Sequence, residues 1–229
     1  MIDQKEEKEK TTFLTPIKPF ENGPHLAGRI PKWEATIGVL LTGIIYFLLP
    51  DELTFGPPWL LLAIEVVLLL PLWIFWLTGH ALPFRVTRRS SMVLLGVVTL
   101  ALAIGVLFLI QHLANFKSGI HLLQTAALLW TFNVLVFALW YWDTDGGGPR
   151  NRHQPDFKPK DLLFPQQTNG DKWTPEFFDY LFVAFTGATA FSPTDTYPLT
   201  RRAKLLMMVE GIISLMLVAI VVSRVANIF

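Results

Sequence analysis

The segments FFDYLFVAFTGATAF (177–191), SPTDTYPLTRR (192–202) and AKLLMMVEGIISLMLVAIVVSRV (203–225) decide the fold of this chain. The first segment is apolar, but its 15 residues are too few for a membrane-spanning helix, which needs ~20. A backbone of that length enters and leaves the membrane on one side, and this is tolerated only where protein buries it or water lines it. The sequence therefore predicts a re-entrant half-helix, a polar turn and a final transmembrane helix from Ala203 to about Val225.

The composition of the whole chain places it in a membrane. Of its 229 residues, 52% are hydrophobic and 16% are charged, and the mean hydropathy is +0.44. Soluble domains carry about 25% charged residues. We therefore expect an integral membrane protein of the all-α class. The chain has no cysteine, which excludes disulfides, thiolate metal sites and thiol catalysis.

Four apolar segments before residue 143 predict further membrane helices, at 33–49, 59–77, 92–110 and 120–142. Together they would form a four-helix N-terminal membrane bundle within residues 33–142. The chain would then have five full spans, or six if the half-helix crosses the membrane. Pro71, which lies inside the second segment, is expected to kink its helix.

Polar regions flank this bundle. Residues 1–32 mix lysines and glutamates without an apolar core, which predicts a cytoplasmic polar tail rather than a cleavable signal peptide. Residues 143–173 form a polar loop, and its glycines at 146–148 indicate a start that is either flexible or tightly turned. Loops of this length usually carry function or are disordered. Residues 174–229 contain the half-helix, the turn and the last helix.

The distribution of positive charge predicts the orientation. With the N-terminus in the cytoplasm and 177–191 re-entrant, every one of the 19 lysines and arginines except Lys117 and Arg224 lies on the cytoplasmic side. If 177–191 crosses instead, the basic cluster at 201–204 lies outside, which fits the positive-inside rule less well. We therefore expect a multi-pass protein whose N-terminus is cytoplasmic.

Polar side chains cluster at the end of the half-helix and in the turn after it. Their hydroxyls and one carboxylate can replace part of the hydration shell of a cation. The alternative is that the same hydroxyls cap the half-helix and tie its turn. The candidate pore residues of this cluster are Thr186, Thr189, Ser192, Thr194 and Asp195.

Two glutamates, Glu65 and Glu210, lie within apolar segments. An ionised side chain at the centre of a membrane costs at least ~2.5 kcal/mol, so each glutamate needs a partner or water. Each is either a proton or cation site, or a hydrogen-bonded group that holds helices together.

No motif for catalysis, nucleotide binding or metal binding occurs in the chain. Asp143 and Asp145, which precede the glycines of the polar loop, do not follow the calcium-loop pattern. We therefore predict no enzyme activity, no metal, no cofactor and no nucleic-acid partner.

The order of residues from 180 to 225 resembles the pore loop plus inner helix of the potassium-channel superfamily. When Asp195 is placed on the acidic residue that closes the channel filter, four more positions match common residue types: Thr189, Pro198, Thr200 and Ala203. The filter itself is degenerate, because Ser-Pro-Thr at 192–194 stands in place of Gly-Tyr-Gly. Without those glycines the backbone lacks the permissive φ angles that aim successive carbonyls at an ion. The resemblance therefore implies a pore module with weak potassium selectivity.

Four short segments, three of them outside residues 180–225, resemble an uncharacterised family of bacterial multi-spanning membrane proteins. This resemblance implies a bacterial inner-membrane setting and transfers no activity. The segments are GPH at 23–25, FALWYWD at 137–143, FPQ at 164–166 and ATAFSPTD at 188–195.

Three functions remain open at this point. In the first hypothesis the pore module belongs to a homo-oligomeric channel for small cations, with a fourfold assembly as one form. The charge distribution places the turn at Asp195 on the cytoplasmic side, opposite to an ordinary potassium channel. In the second hypothesis the protein is a non-conducting scaffold that keeps the pore-loop fold and docks a cytoplasmic protein at the 143–173 loop. A transporter with its site at Glu65 is the third hypothesis.

Overall fold

The structure is a computed structural model, and it describes residues 33–77, 84–116, 118–152, 160–168, 173–189 and 196–228. The chain is mostly helical, with 84% of the structure in helices. The helices are α1 (Trp33–Leu48), α2 (Leu60–Leu77), α3 (Phe84–His112), α4 (Gly119–Thr144), α5 (Pro149–Arg152), α6 (Pro165–Thr168), α7 (Phe177–Ala188) and α8 (Arg201–Ile228). Short 3-10 turns follow α1, α3 and α4, at Asp51–Leu53, Leu113–Asn115 and Asp145–Gly147.

Three segments of this structure are long and apolar enough to cross a membrane: Val86–Asn115, Gly119–Gly147 and Arg201–Arg224. Three more apolar helices are shorter, at Trp33–Leu48, Leu60–Pro71 and Phe177–Ala188. The predicted all-α class is confirmed, and these apolar helices are consistent with the predicted membrane setting. The number of spans stays a prediction.

Two helices begin earlier than their apolar segments predict. The third helix begins at Phe84 rather than at residue 92, and its basic first turns include Arg88, whose guanidinium lies 2.7 Å from the Asp143 carboxylate on α4. The last helix begins at Arg201 rather than at residue 203, because the Thr200 hydroxyl accepts a hydrogen bond from the backbone amide of Ala203. Such a cap satisfies an amide that the first helical turn leaves without a partner.

The central helix of the fold is α4. It packs against α1, α3, α7 and α8, and all eight residues of 132–139 are buried. This central position explains why 67% of the most apolar stretch of the α4 span is buried, against 39% for the α3 span and 17% for the α8 span, although both of those spans are more apolar. The α8 helix is therefore peripheral and leaves most of its surface open.

The loop after α4 turns tightly. Gly146, Gly147 and Gly148 have φ angles of 59°, 83° and 104°, in the left-handed region that glycine adopts without a steric cost. The sequence left this start as either flexible or tightly turned, and the structure has the tight turn. Beyond it, strand β1 (Leu162–Leu163) pairs antiparallel with β2 (Tyr197–Pro198). This pairing fastens the loop to the segment that leads into α8.

Candidate functional site

The first turn of α7 lies beside the C-terminal end of α4. The Tyr180 hydroxyl donates a hydrogen bond of 2.5 Å to the Asp145 carboxylate, and the Trp142 ring meets the rings of Phe177 and Tyr180 edge to face at 6.1 and 5.8 Å. A capping box between Glu176 and Asp179 starts the helix and satisfies two backbone amides. The entry point of α7 is thus defined by aromatic contacts and by hydrogen bonds.

The last turn of α7 lies halfway along α4 and α8. The Ser214 hydroxyl of α8 donates to the carbonyl oxygen of Ala188, and the Trp130 indole of α4 donates to the Ser214 hydroxyl at 2.7 Å. Trp130 precedes Trp142 by twelve residues, or roughly 18 Å along the helix at 1.5 Å per residue. The α7 helix therefore runs antiparallel to α4 and ends near the middle of its neighbours.

Nine residues after the end of α7, the chain is again beside the C-terminal end of α4, where α7 begins. The β2 residues Tyr197 and Pro198 pair with Leu163 and Leu162, and the Leu162 amide donates to the Asp145 carboxylate at 3.1 Å. Both ends of the 177–198 segment therefore lie at the Asp145 end of α4. Ala188, which lies between these ends in the sequence, is placed about halfway along α4.

Two of the candidate pore residues donate their hydroxyl hydrogens within α7. The Thr186 hydroxyl lies 3.0 Å from the carbonyl oxygens of both Phe182 and Val183. The Thr189 hydroxyl lies 2.9 Å from the carbonyl oxygen of Phe185. These bonds match the alternative in which the hydroxyls tie the end of the helix.

The other three candidates of the turn, Ser192, Thr194 and Asp195, lie outside the described residues. Their approach to the threonines of α7 stays a prediction.

Glu210 points into the bundle between α4, α7 and α8. Its side chain is fully buried, and one carboxylate oxygen accepts a hydrogen bond of 2.5 Å from the Tyr141 hydroxyl. The Asn133 amide of α4 donates to the Glu210 backbone carbonyl at 3.3 Å. A Cβ at Gly187 would lie only 3.1 Å from the carboxylate, so this glycine makes room for it. The arrangement joins three helices through one side chain.

Glu65 occupies a comparable position between α1 and α2. It is fully buried, its Oε1 atom lies 2.7 Å from the Thr42 hydroxyl, and the carboxylate packs against Gly43, where any Cβ would overlap it. Glu65 and Glu210 thus belong to different helix contacts. Each has a hydroxyl partner, an adjoining glycine and one oxygen without a hydrogen-bond partner among the described residues.

A cluster that sequence reasoning missed surrounds Arg152 in the loop after α4. Its guanidinium is 1% exposed and donates to the carbonyl oxygens of Trp142 and Asp145 at 2.7 and 2.8 Å. The rings of Trp142 and Tyr180 lie 4.6 and 4.8 Å from its central carbon, within the range of cation–π attraction. Burial lowers the pKa of the Arg152 guanidinium. The available signal was the pair of aspartates, Asp143 and Asp145, followed by Arg150 and Arg152 directly after the Trp-Tyr-Trp run at 140–142.

Asp161 connects this loop to the start of α8. Its carboxylate accepts hydrogen bonds from the Gly146 amide at 2.9 Å and from the Thr200 hydroxyl at 2.8 Å. Its carbonyl oxygen accepts from the Leu199 amide at 2.8 Å. The loop is therefore partly built into the fold, and its buried members are not available to a docking partner.

Within the ranges that the structure describes, no three His, Cys, Asp or Glu side chains are placed to hold a metal ion. Comparisons of the whole chain with protein families, with curated proteins and with solved structures find no match.

Proposed function

We propose that residues 177–198 form a re-entrant pore loop and that the protein conducts small cations as an oligomer. The observation that carries this proposal is the position of Ala188 about halfway along α4 and α8. Its carbonyl oxygen is held by α4 and α8 at mid-helix level, while Tyr197 and Pro198 are again beside the loop that precedes α7. A helix of 12 residues with that geometry enters about half of a bilayer.

In this proposal the protein has five full membrane spans, formed by α1 to α4 and α8, and its N-terminus is cytoplasmic. Arg152, Arg201 and Arg202 lie at the end where the pore loop enters, and clusters of positive charge favour the cytoplasmic side. The loop would then enter from the cytoplasm.

The surfaces of α7 and α8 support an assembly of several copies. Phe178 and Phe182 of α7 are 71% and 55% exposed, and Ile212 and Leu215 of α8 are 57% and 70% exposed. A single pore loop does not enclose a path, so neighbouring copies have to meet along such faces, with lipid covering the rest.

The buried bonds of Glu210 and Glu65 give these residues a packing role in this proposal. The path would be lined by the polar turn, with Ser192, Thr194 and Asp195 as the groups that replace water around a cation. Because the turn lacks the filter glycines, we expect it to distinguish potassium from sodium weakly.

Ion flux into liposomes tests the proposal. Purified protein is reconstituted, and uptake of potassium, sodium and protons is compared with empty vesicles. Asp195→Asn removes the charge of the turn and should reduce cation flux. Asp51→Asn is the matched control, because Asp51 is an exposed aspartate in the connection between α1 and α2. Flux no greater than in empty vesicles would overturn the proposal of conduction. An equal effect of both variants would show that the conduction path does not run through the polar turn.

A second candidate, a non-conducting scaffold, is favoured by two specific observations. The hydroxyls of Thr186, Thr189 and Ser214 all donate to backbone carbonyls of α7. In addition, a shallow groove lined by Leu163, Phe164, Pro165, Thr168 and Tyr197 lies beside the β1–β2 pair. A folded protein that is monomeric by native mass spectrometry and passes no ions would support this candidate over the channel.

A further inference from the structure

The number of hydrogen atoms around Glu65 limits its protonation state. The Thr42 hydroxyl has one hydrogen but two oxygen neighbours at hydrogen-bond distance: the Val39 carbonyl at 2.6 Å and Glu65 Oε1 at 2.7 Å. If the hydroxyl donates to the carbonyl within its own helix, the second short contact needs a hydrogen from Glu65. A protonated carboxyl supplies that hydrogen, and all three oxygens are then joined in one chain.

An ionised Glu65 would lack compensation at this site. The side chain is fully buried, and its Oε2 atom has no hydrogen-bond partner among the described residues. The neighbouring Gly43 amide belongs to the regular hydrogen-bond pattern of α1. Within the described part of the chain, Arg88 and Asp143 form the single ion pair, so no cation there neutralises Glu65. A buried carboxylate with one neutral donor is strongly disfavoured, whereas a neutral acid is not.

The groups that face Glu65 from the adjoining helix are neutral. Thr42 and Gly43 contact the carboxyl from α1, and Leu62 of its own helix packs beside them. The missing side chain at Gly43 leaves the space that the carboxyl fills. The site therefore combines an apolar enclosure with one oxygen that is placed to accept a hydrogen bond from a carboxylic acid.

We propose that Glu65 is a proton-binding site: its carboxyl is protonated at neutral pH and donates to Thr42, which in turn donates to the Val39 carbonyl. The ligand of this site is a proton, and the site does not depend on conduction through the polar turn. A neutral hydrogen-bond donor buried between α1 and α2 joins the two helices while it stores one exchangeable proton.

Infrared spectroscopy of the full-length protein tests this assignment, because protonated and ionised carboxyls absorb in separate regions. In the spectrum of the unchanged protein minus that of Glu65→Gln, we expect the loss of one carboxylic-acid component. Glu52→Gln is the control, because Glu52 is exposed and its replacement should remove a carboxylate component instead. If Glu65→Gln removes a carboxylate component and leaves the acid region unchanged, the proposal is overturned.

A second variant keeps the test decisive if Glu65→Gln does not fold. Thr42→Val removes the acceptor while it keeps the shape of the side chain, so the acid component should move to the frequency of a carboxyl without a hydrogen bond. An acid region that is identical with and without the Thr42 hydroxyl would contradict the proposed chain of bonds.

Discussion

Replacing Gly43 by alanine tests whether the contact between α1 and α2 depends on the space for a carboxyl. A Cβ at this position would overlap the Glu65 carboxylate and would lie 2.8 Å from the Leu62 side chain. Overpacking a closed contact of this kind typically costs about 1–3 kcal/mol. The substitution also removes the low helix propensity of glycine, which is worth up to ~1 kcal/mol in the opposite direction.

Gly96→Ala is the matched control that separates these two effects. Gly96 also lies inside a helix, and a Cβ there would meet nothing within 4 Å. The propensity gain is therefore common to both variants. The difference between them should be the overpacking cost of about 1–3 kcal/mol, and for a chain of this size each kcal/mol corresponds to a Tm change of roughly 2–4 °C.

Thermal unfolding in one detergent measures both variants against the unchanged protein. We expect Gly43→Ala to unfold at a lower temperature than Gly96→Ala. In a Glu65→Ala background, where the carboxyl is gone and only the contact with Leu62 remains, the same change at Gly43 should cost less stability, since contacting residues couple. Equal Tm values for the two alanine variants, or an undiminished cost in the Glu65→Ala background, would refute the reasoning.

Two further predictions concern the C-terminal part of the chain. Arg152→Lys should lower the free energy of unfolding by about 1–3 kcal/mol, because lysine cannot reproduce the two carbonyl hydrogen bonds and the stacking on two rings. The control is Arg202→Lys, which changes an exposed arginine and should leave the Tm unaltered. Equal Tm changes in the two variants would contradict a stabilising role for the buried Arg152 side chain. Single cysteines at Lys160 and Lys204, which lie before and after the 177–191 segment in this cysteine-free chain, should react with a membrane-impermeant thiol reagent from the same side of the membrane, whereas labelling from opposite sides would show that the 177–191 segment crosses.

The apolar runs of the sequence were sufficient to predict the apolar helices, whereas the short helices α5 and α6 in the polar loop were not predicted. Long uncharged stretches such as 120–142 have few alternatives to a buried helix, and the structure has α4 at that place. The predicted start at residue 92 was wrong for α3, which begins at Phe84, because the basic residues at 85–89 interrupt the apolar pattern. What stabilises that start is the contact of Arg88 with Asp143, 55 positions away, and a local pattern does not contain such a contact.

Glu65 and Glu210 were recognisable from the sequence, because a carboxyl inside an apolar segment needs a partner. Their partners were not, since Thr42 and Tyr141 approach them only after the helices have packed. The same holds for Gly43 and Gly187, which are ordinary small residues in the sequence and become necessary only where a carboxyl fills the space beside them.

The polar loop shows most clearly which features follow from the sequence and which follow only from the tertiary structure. Its composition predicted a region outside the apolar core, and its three glycines indicated a start that is either flexible or tightly turned. That Arg152 is buried between two aromatic rings, and that Asp161 joins the loop to the start of α8, follows from contacts between segments that are distant in the sequence. Periodicity and composition report the environment that each residue prefers, whereas the packing of the helices decides which side chains meet.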